Sequence, residues 1–521
     1  MAALLAALVA CNKEPQQVTP EDVDGKVYMQ FSVNMLTTRS GTNTPENGDY
    51  GTSDATPGVE VGFDYENKIS TVDIVLVNGT TRVVADNVVP AQASTDTYVA
   101  SFNTTSLTAS TTYQVYVYAN CENVTDLDAV SNVAVTAMTE NNKFWMTNAY
   151  EAGTTTLPAD LSLYTVPQNP LNLGEHFVER AMARFDYMPI NNNKYSILKK
   201  DNSVNATVTL TKAALINHSK EFYMLRRTSA DGTNINWTIG GVETAANYVV
   251  DTDWEAKKEG YTDAQVANFD AHLTAPATWT WKSIAVADLT EKDNWEGTDD
   301  GTTGVNPAPT HGLNEYYKWQ YAKENTIPGV TAQQHGISTG VVFKGEITGD
   351  AVEAANGEMI YVFENVLYGK WSAVETAATA ADAPATLVAA VNKIKAIVDN
   401  PETNDVVEAP TAADYAAAGF TGYNPDKTDH KYYAYYYYWN RHNDNADNTK
   451  MDNMEFAVVR NNVYKLCVDK IAKFGHPDPT DPQNPDPDPV VPNDPDEDIN
   501  YYFTVTVKVL PWVVRVNHIE F

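Results

Sequence analysis

Three cysteines in 521 residues are too few for a disulfide-scaffolded fold. Basic residues are also scarce. Only 35 Lys and Arg stand against 68 Asp and Glu, a formal charge of −33. A surface this acidic repels phosphates, which excludes nucleic acid as a partner and electrostatic docking on an anionic bilayer. No run of about 18 apolar residues occurs, so no helix is long enough to cross a membrane. The nine histidines show no H-E-x-x-H or other ligand spacing, and no glycine-rich phosphate loop is present. No metal, cofactor or catalytic residue is expected, and the chain does not read as an enzyme. One motif tests that view. Gly336-Ile337-Ser338-Thr339-Gly340 matches G-x-S-x-G, but a hydrolase elbow needs a buried strand before it and a helix after it. Here polar Gln333-Gln334-His335 precede and strand-like Val341-Val342-Phe343 follow, so Ser338 is not read as a nucleophile.

What is present is an ordinary globular balance, 43% hydrophobic and 20% charged, which excludes wholesale disorder. At roughly 150 residues per domain, the length allows two to four domains. The dominant pattern is two-residue alternation bounded by Asn, Gly, Asp and Thr, the signature of strands and turns. Val27 to Met35 is the cleanest case, with every odd position apolar. Thr71 to Val77, Tyr113 to Tyr118, Val204 to Leu210, Gly340 to Ile347 and Glu358 to Val362 follow. Helical pattern is scarce: Ala385 to Val398 is the best candidate and Ala264 to Ala271 a second. The fold class is therefore all-β. A Pro/Asn-rich connector at Pro167 to Gly174 divides the globular part into domains at 40–170 and 171–475. The second carries loop and helix insertions rich in Trp, Asn and Asp. The run Tyr432 to Trp439 (YYAYYYYW) reads as a strand with half its rings in the core and half outside.

The two ends are unlike the rest. Met1 to Ala10 (MAALLAALVA) is too short to span a bilayer but suits the apolar core of a secretion signal. Leu8-Val9-Ala10-Cys11 resembles a lipobox, with Cys11 as the lipidated residue. The competing reading is the buried start of a helix. Cys121 and Cys467 are far apart and are expected to be free thiols. At the other end, His476 to Asp498 holds eight prolines and eight carboxylates with no Lys or Arg, and residues 476–500 read as an extended, solvated linker. In polyproline II, at about 3.1 Å per residue, such a segment reaches roughly 70 Å. Beyond it, Tyr501, Phe503, Val505, Val507 and Val509 alternate with mostly polar neighbours. Pro511 breaks the phase, and Val514, Ile519 and Phe521 continue the apolar pattern. An apolar strand on a long tether must pair somewhere, on its own domain or by completing a neighbour's sheet. Its pattern matches Val27, Met29, Phe31, Val33 and Met35, so the two strands are candidates for exchange. Between the first strand and the rest of the chain lies the polar stretch around Arg39-Ser40. It is an accessible place for a trypsin-like cut that would release residues 12–39, or else an ordinary loop.

Taken together, these features resemble the fimbrillins of Bacteroidota, the type V pilus subunits, most closely the stalk subunits of the short fimbria. The resemblance rests on Cys11, the first strand with Arg39, the strand Val341 to Ile347, Tyr432 to Trp439 and Arg460-Asn461-Asn462-Val463-Tyr464-Lys465-Leu466. It ends on the Asp-Pro linker and Pro511-Trp512 leading to Ile519-Glu520-Phe521. It implies two transthyretin-like β-sandwich domains plus a C-terminal donor strand. It further implies export as an outer-membrane lipoprotein, cleavage after Arg39, and head-to-tail polymerisation with copies of itself into a cell-surface fimbrium for adhesion and biofilm. The implied partners are anchor and tip subunits, a processing protease and a host or bacterial surface receptor. The alternative is a monomeric surface lipoprotein that binds glycans through Trp237, Trp254, Trp279, Trp281 and Trp295.

Overall fold

The computed structural model describes residues 26–35, 62–94, 97–121, 126–149, 152–239, 248–258, 267–292, 316–330, 332–333, 336–398, 409–442, 454–479, 505–506 and 513–520. The alternating segments form strands, as their period requires. Eight of them enter the first sheet: β1 (Val27–Met35), β2 (Val72–Asn78), β3 (Thr81–Val88), β4 (Ala91–Ser94), β5 (Thr97–Thr104), β6 (Thr112–Ala119), β7 (Met146–Asn148) and β8 (Leu171–Arg180). Their order is β3-β2-β6-β7-β8-β1-β5-β4, and Thr154–Thr156 pairs with β6 as the ninth strand. β3 also lies against β5, so the sheet curls around one apolar interior that includes Phe31, Ile74, Val117 and Met146. The β2–β3 hairpin turns at Gly79, whose φ of +57° suits the first position of a tight hairpin loop.

The connector expected near residue 170 does not separate the two halves. β8 begins at Leu171 and belongs to the first sheet, and the chain passes to the second half only between Arg180 and Ala183. Alternation carries no mark of the sheet a strand joins, and residues 178–187 span the end of β8 and the start of β9 (Ala183–Met188).

Beyond β9 come β10 (Lys194–Leu198), β11 (Val204–Ile216), β12 (Tyr317–Ala322), β13 (Gly340–Thr348), β14 (Tyr432–Trp439) and β15 (Asn462–Lys470). The chain ends on β16 (Val505–Thr506) and β17 (Val513–Glu520). One sheet runs β12-β9-β15-β17-β16, and another runs β10-β11-β13-β14. They share a core: Phe185, Tyr187, Tyr464, Leu466 and Val468 from the first face Val208, Leu210, Phe343, Tyr436 and Tyr438 from the second. The second half is thus a sandwich. Its other faces are covered too. Along β14, Tyr432, Ala434, Tyr436 and Tyr438 enter this core, while Tyr435, Tyr437 and Trp439 pack under Phe269 and Trp279. The rings expected outside are therefore a second core layer beneath the insertion.

Ala385–Val398 is a helix with the expected bounds. Leu387, Ala390, Val391 and Ile394 line one stripe of it and join Tyr361, Val374 and Phe420 in a small separate core. The second expected helix is not formed where it is described. Phe269–Asp270 is a strand paired with His218–Ser219, and Ala271 has a φ of +51°. Residues 264–266 lie outside the described residues.

β9 and β15 hold the halves together by facing two cores at once. Their odd and even positions alternate: Phe185 and Tyr187 with Tyr464 and Leu466 face the sandwich, while Met188 with Val463 and Cys467 join the first-half core. Register sets Phe185 opposite Tyr464, and the rings stack with centroids 5.1 Å apart. On the other face Asp186 stands opposite Lys465, at 3.3 Å, and takes two hydrogen bonds from Arg184, at 2.9 and 2.8 Å. Arg184 reaches on to Glu66 of the first half at 2.9 Å, and the Tyr321 hydroxyl donates to the same carboxylate. Two residues apart on a strand, Arg184 and Asp186 share a face, which is what permits the paired contact. Burial pushes the Asp186 carboxyl up, but Arg184 and Lys465 outweigh it and hold it below the usual range. Asp186→Ala would leave two fully buried cations short of their counter-charge, at a cost of roughly 3–5 kcal/mol. Urea unfolding of the variant against the parent chain measures it.

Candidate strand-exchange site

β1 is an interior strand with a ladder on each side. It runs antiparallel to β5, from Val27 opposite Thr104 to Asn34 opposite Thr97. It runs parallel to β8, from Met29 opposite Leu171 to Met35 opposite Val178. Val27, Met29, Phe31 and Val33 are buried, as their alternation predicts, while Tyr28, Gln30 and Ser32 are half-exposed. Burying four such side chains contributes about 6–12 kcal/mol, taking roughly 1.5–3 for each. Phe31 meets Phe102 and His176 edge-on, with centroids at 6.1 and 5.5 Å.

The β8 wall changes phase. Between Gln30 and Ser32 the register advances by one extra residue on β8, from Asn172 to Glu175. Gly174 takes up the bulge with a φ of +94°, a conformation only glycine adopts cheaply. Leu171 and Leu173 face inward before it, and His176 and Val178 after it. This is why His176 was missed in the sequence: simple alternation from Leu171 sends residue 176 outward. Its ring is buried, its Nε2 has no hydrogen-bond partner, and burial holds its pKa below the ordinary histidine value.

The C-terminal segment pairs within its own chain. β17 lies parallel to β15, Val513 opposite Asn462 and Val514 opposite Val463, with Ile519 opposite Val468 and Glu520 opposite Lys470. β16 returns antiparallel beside it, Val505 opposite Ile519. Of the two places open to such a strand, the single chain uses its own domain. Without β17, the outer edge of β15 carries no ladder. Tyr501, Phe503, Val507, Val509 and Phe521 lie outside the described residues, as do Cys11, Arg39 and Ser40.

Other sequence candidates resolve into packing. Cys121 and Cys467 are buried and in no disulfide, and burial pushes the Cys121 thiol up. Ser338 is fully buried, with its carbonyl oxygen accepting from Asn217 Nδ2 at 3.0 Å. Gly340 is required because a Cβ there would stand 2.8 Å from the Trp439 ring. Trp279 is buried, and Trp237, Trp254 and Trp281 are half-buried. Among the described residues no tryptophan is exposed: Trp279 packs against Tyr437 and donates Nε1–H to the His272 carbonyl at 2.9 Å. The Arg227 guanidinium covers Trp237 at 4.0 Å. Trp295 lies outside the described residues. Among the described residues no group of three metal-ligating side chains occurs.

Residues 430–518 match the family described as the major fimbrial subunit protein type IV, fimbrillin, C-terminal. The match opens at β14, includes β15 and its Arg460-to-Leu466 stretch, and runs into β17. The likeness to that family is confined to this C-terminal part of the chain. No curated protein sequence matches it. Among solved structures, the fold is similar to a candidate cell adhesion protein from Parabacteroides distasonis, with 10% identity over 62% of this chain and 76% of that one, at a TM-score of 0.30. A fimbrial assembly protein from the same organism shares 11% identity over 62% of this chain and 99% of that one, at a TM-score of 0.21. Superpositions this loose carry no functional inference.

Two outcomes are expected from the slot. Phe31→Ala costs about 3–5 kcal/mol, read by urea unfolding. Because the folded pKa of His176 lies below the unfolded value of about 6.5, the unfolded chain binds the proton first, so β1 docking is full above that pH and is lost as pH falls through it. Hydrogen-exchange protection at the β5 and β8 amides, corrected for the intrinsic pH dependence of exchange and lower at about pH 5 than at about pH 7.5, measures this, and His176→Leu flattens the difference.

Proposed function

We propose that this chain is a structural subunit of a cell-surface fimbria and that it polymerises by strand exchange. The observation that carries the reading is β1: a doubly laddered, apolar interior strand joined to the rest only through the stretch around Arg39-Ser40. The precursor is exported as an outer-membrane lipoprotein through Cys11. Cleavage after Arg39 detaches the anchor and β1 together. The vacated slot then has two unpaired edges, β5 and β8, and an apolar floor that includes Phe102. Unpaired backbone donors and exposed apolar side chains together make a strong acceptor for an alternating strand.

The donor is the segment of Tyr501, Phe503, Val505, Val507 and Val509 from a second copy, followed by Val514, Ile519 and Phe521. In the single chain its distal part rests on β15. Assembly therefore exchanges one set of ladders for another, and the acidic linker 476–500 supplies the reach. Because the slot and the donor are different surfaces of one chain, contacts are head-to-tail and give an open filament. Anchor and tip subunits end it, a protease starts it, and a host or bacterial surface receptor is its target.

Arg39→Ala is expected to leave an unpolymerised lipoprotein whose N-terminal residue is still Cys11, whereas the parent fimbria begins at Ser40. Deleting 501–521 blocks elongation after normal cleavage. High-mass ladders on non-boiled gels from either variant would sink the mechanism.

A further inference from the structure

A buried cluster in the second half takes no part in strand exchange. The short helix Trp254–Lys257 turns the Lys257 amine into the interior, where its side chain is fully buried. Nζ lies 2.8 Å from Asp251 Oδ2, 2.7 Å from Asp253 Oδ1 and 2.7 Å from the carboxamide Oδ1 of Asn325. The Phe269 ring stands 5.3 Å from it. The amide is held from behind: Asn325 Nδ2 donates to the carbonyls of Asn217 and Ile337 at 2.7 and 2.9 Å and to Thr339 Oγ1 at 2.9 Å. The Thr326 N–H fixes Asp251 at 2.9 Å. Asp253 differs. It touches the amine, yet neither of its oxygens makes a well-aligned hydrogen bond.

One carboxylate would neutralise a buried lysine. Two carboxylates and a carboxamide converging on one buried amine beside the Phe269 ring are instead the parts of an acyl transfer. These are a nucleophile, an acyl group held by its far side, and an acid–base group free to change partners. We propose that Lys257 and Asn325 become joined by an intramolecular isopeptide bond, with Asp253 moving the protons.

The step balances without any outside reagent. The Lys257 ammonium gives one proton to Asp253. The freed electron pair of Nζ attacks Cγ of Asn325 to form a tetrahedral centre. The Asp253 carboxyl delivers its proton to Nδ2, and the carboxylate so restored takes the second proton from Nζ. The Cγ–Nδ2 bond breaks, its electron pair leaves with ammonia, and a secondary amide remains. Amine and carboxamide become amide and ammonia, with nothing oxidised or reduced. The electrostatics of Asp253 suit a proton carrier, while its neighbours hold the proton on Lys257 until one is taken from it. Burial pushes Asp253 up to about 6. Burial alone pushes Lys257 down, but Asp251 and Asp253 outweigh it and hold the proton within the cluster.

Such a bond ties the insertion carrying Lys257 to the chain just beyond β12, closing a large loop covalently. The bond requires nothing of the fimbrial reading; its mechanical value in a filament under tension does rest on it. Intact mass and tryptic mapping of the full chain test the proposal. The expected chain is one ammonia lighter than its sequence, with the peptide Thr228 to Lys258 joined to the peptide Glu324 to Lys344 through Lys257 and Asn325. Lys257→Arg keeps the positive charge but lacks the nucleophile, and Asp253→Asn lacks the proton carrier, so both keep their full mass. An unlinked parent chain of full mass overturns the proposal, as does a water-loss link from Lys257 to Asp251 or Asp253. Ammonia loss that persists in Asp253→Asn overturns the role given to Asp253. The parent chain alone decides whether the bond forms, so a variant that misfolds does not weaken the test.

Discussion

The parallel pairing of β9 with β15 is the constraint on which the rest of the molecule depends. Each strand divides its side chains between two cores, so neither half can be completed without the other. The sandwich takes Phe185 and Tyr464, and the first half takes Met188 and Cys467. Charged residues at Arg184, Asp186 and Lys465 occupy a face that is otherwise apolar and fully covered. A buried ionic group of this kind contributes less to net stability than to uniqueness, because a slip of register would leave each charge against hydrocarbon. The slip that would flip each strand, and the slip by two that preserves facing, both break Asp186 from Lys465.

This frame also gives the two chain ends their meaning. β1 is shared by β5 and β8, and β8 leads through Arg180 directly to β9. At the other end, β17 lies on the free side of β15. The first and last described strands thus flank the same continuous path through the molecule, one beside its beginning and one beside its partner strand. Neither strand is an edge: each carries a ladder on both sides.

The strands with strict alternation were readable from sequence because one physical rule, burial on one side, governs them. Val27 to Met35 and Tyr432 to Trp439 have the bounds their patterns suggest. What was not readable depends on partners distant in sequence. Nothing in Val178 to Tyr187 shows that the chain changes sheets at Ala181. The outer rings of β14 look solvent-facing until Trp279 and Phe269 are placed over them. Phe269 has helical neighbours in sequence but is drawn into strand pairing by His218–Ser219. The C-terminal strand announced that it must pair and could not announce where. The wall of the β1 slot was hidden for a local reason: one glycine shifts the phase, and a pattern read in steps of two passes over it.

That glycine has a consequence for recognition. An apolar alternating strand in a uniform groove can settle two residues early or late and still hide its side chains, so alternation alone defines a family of equivalent seats. The extra residue at Gly174 breaks the uniformity of the wall: Leu171 and Leu173 face inward before it and His176 and Val178 after it, and the Phe31 ring meets His176 just past the phase change. A slip of β1 by two residues would keep its backbone pattern but put Met29 or Val33 against His176 in place of Phe31, so side-chain size, and not the ladder, distinguishes the seats.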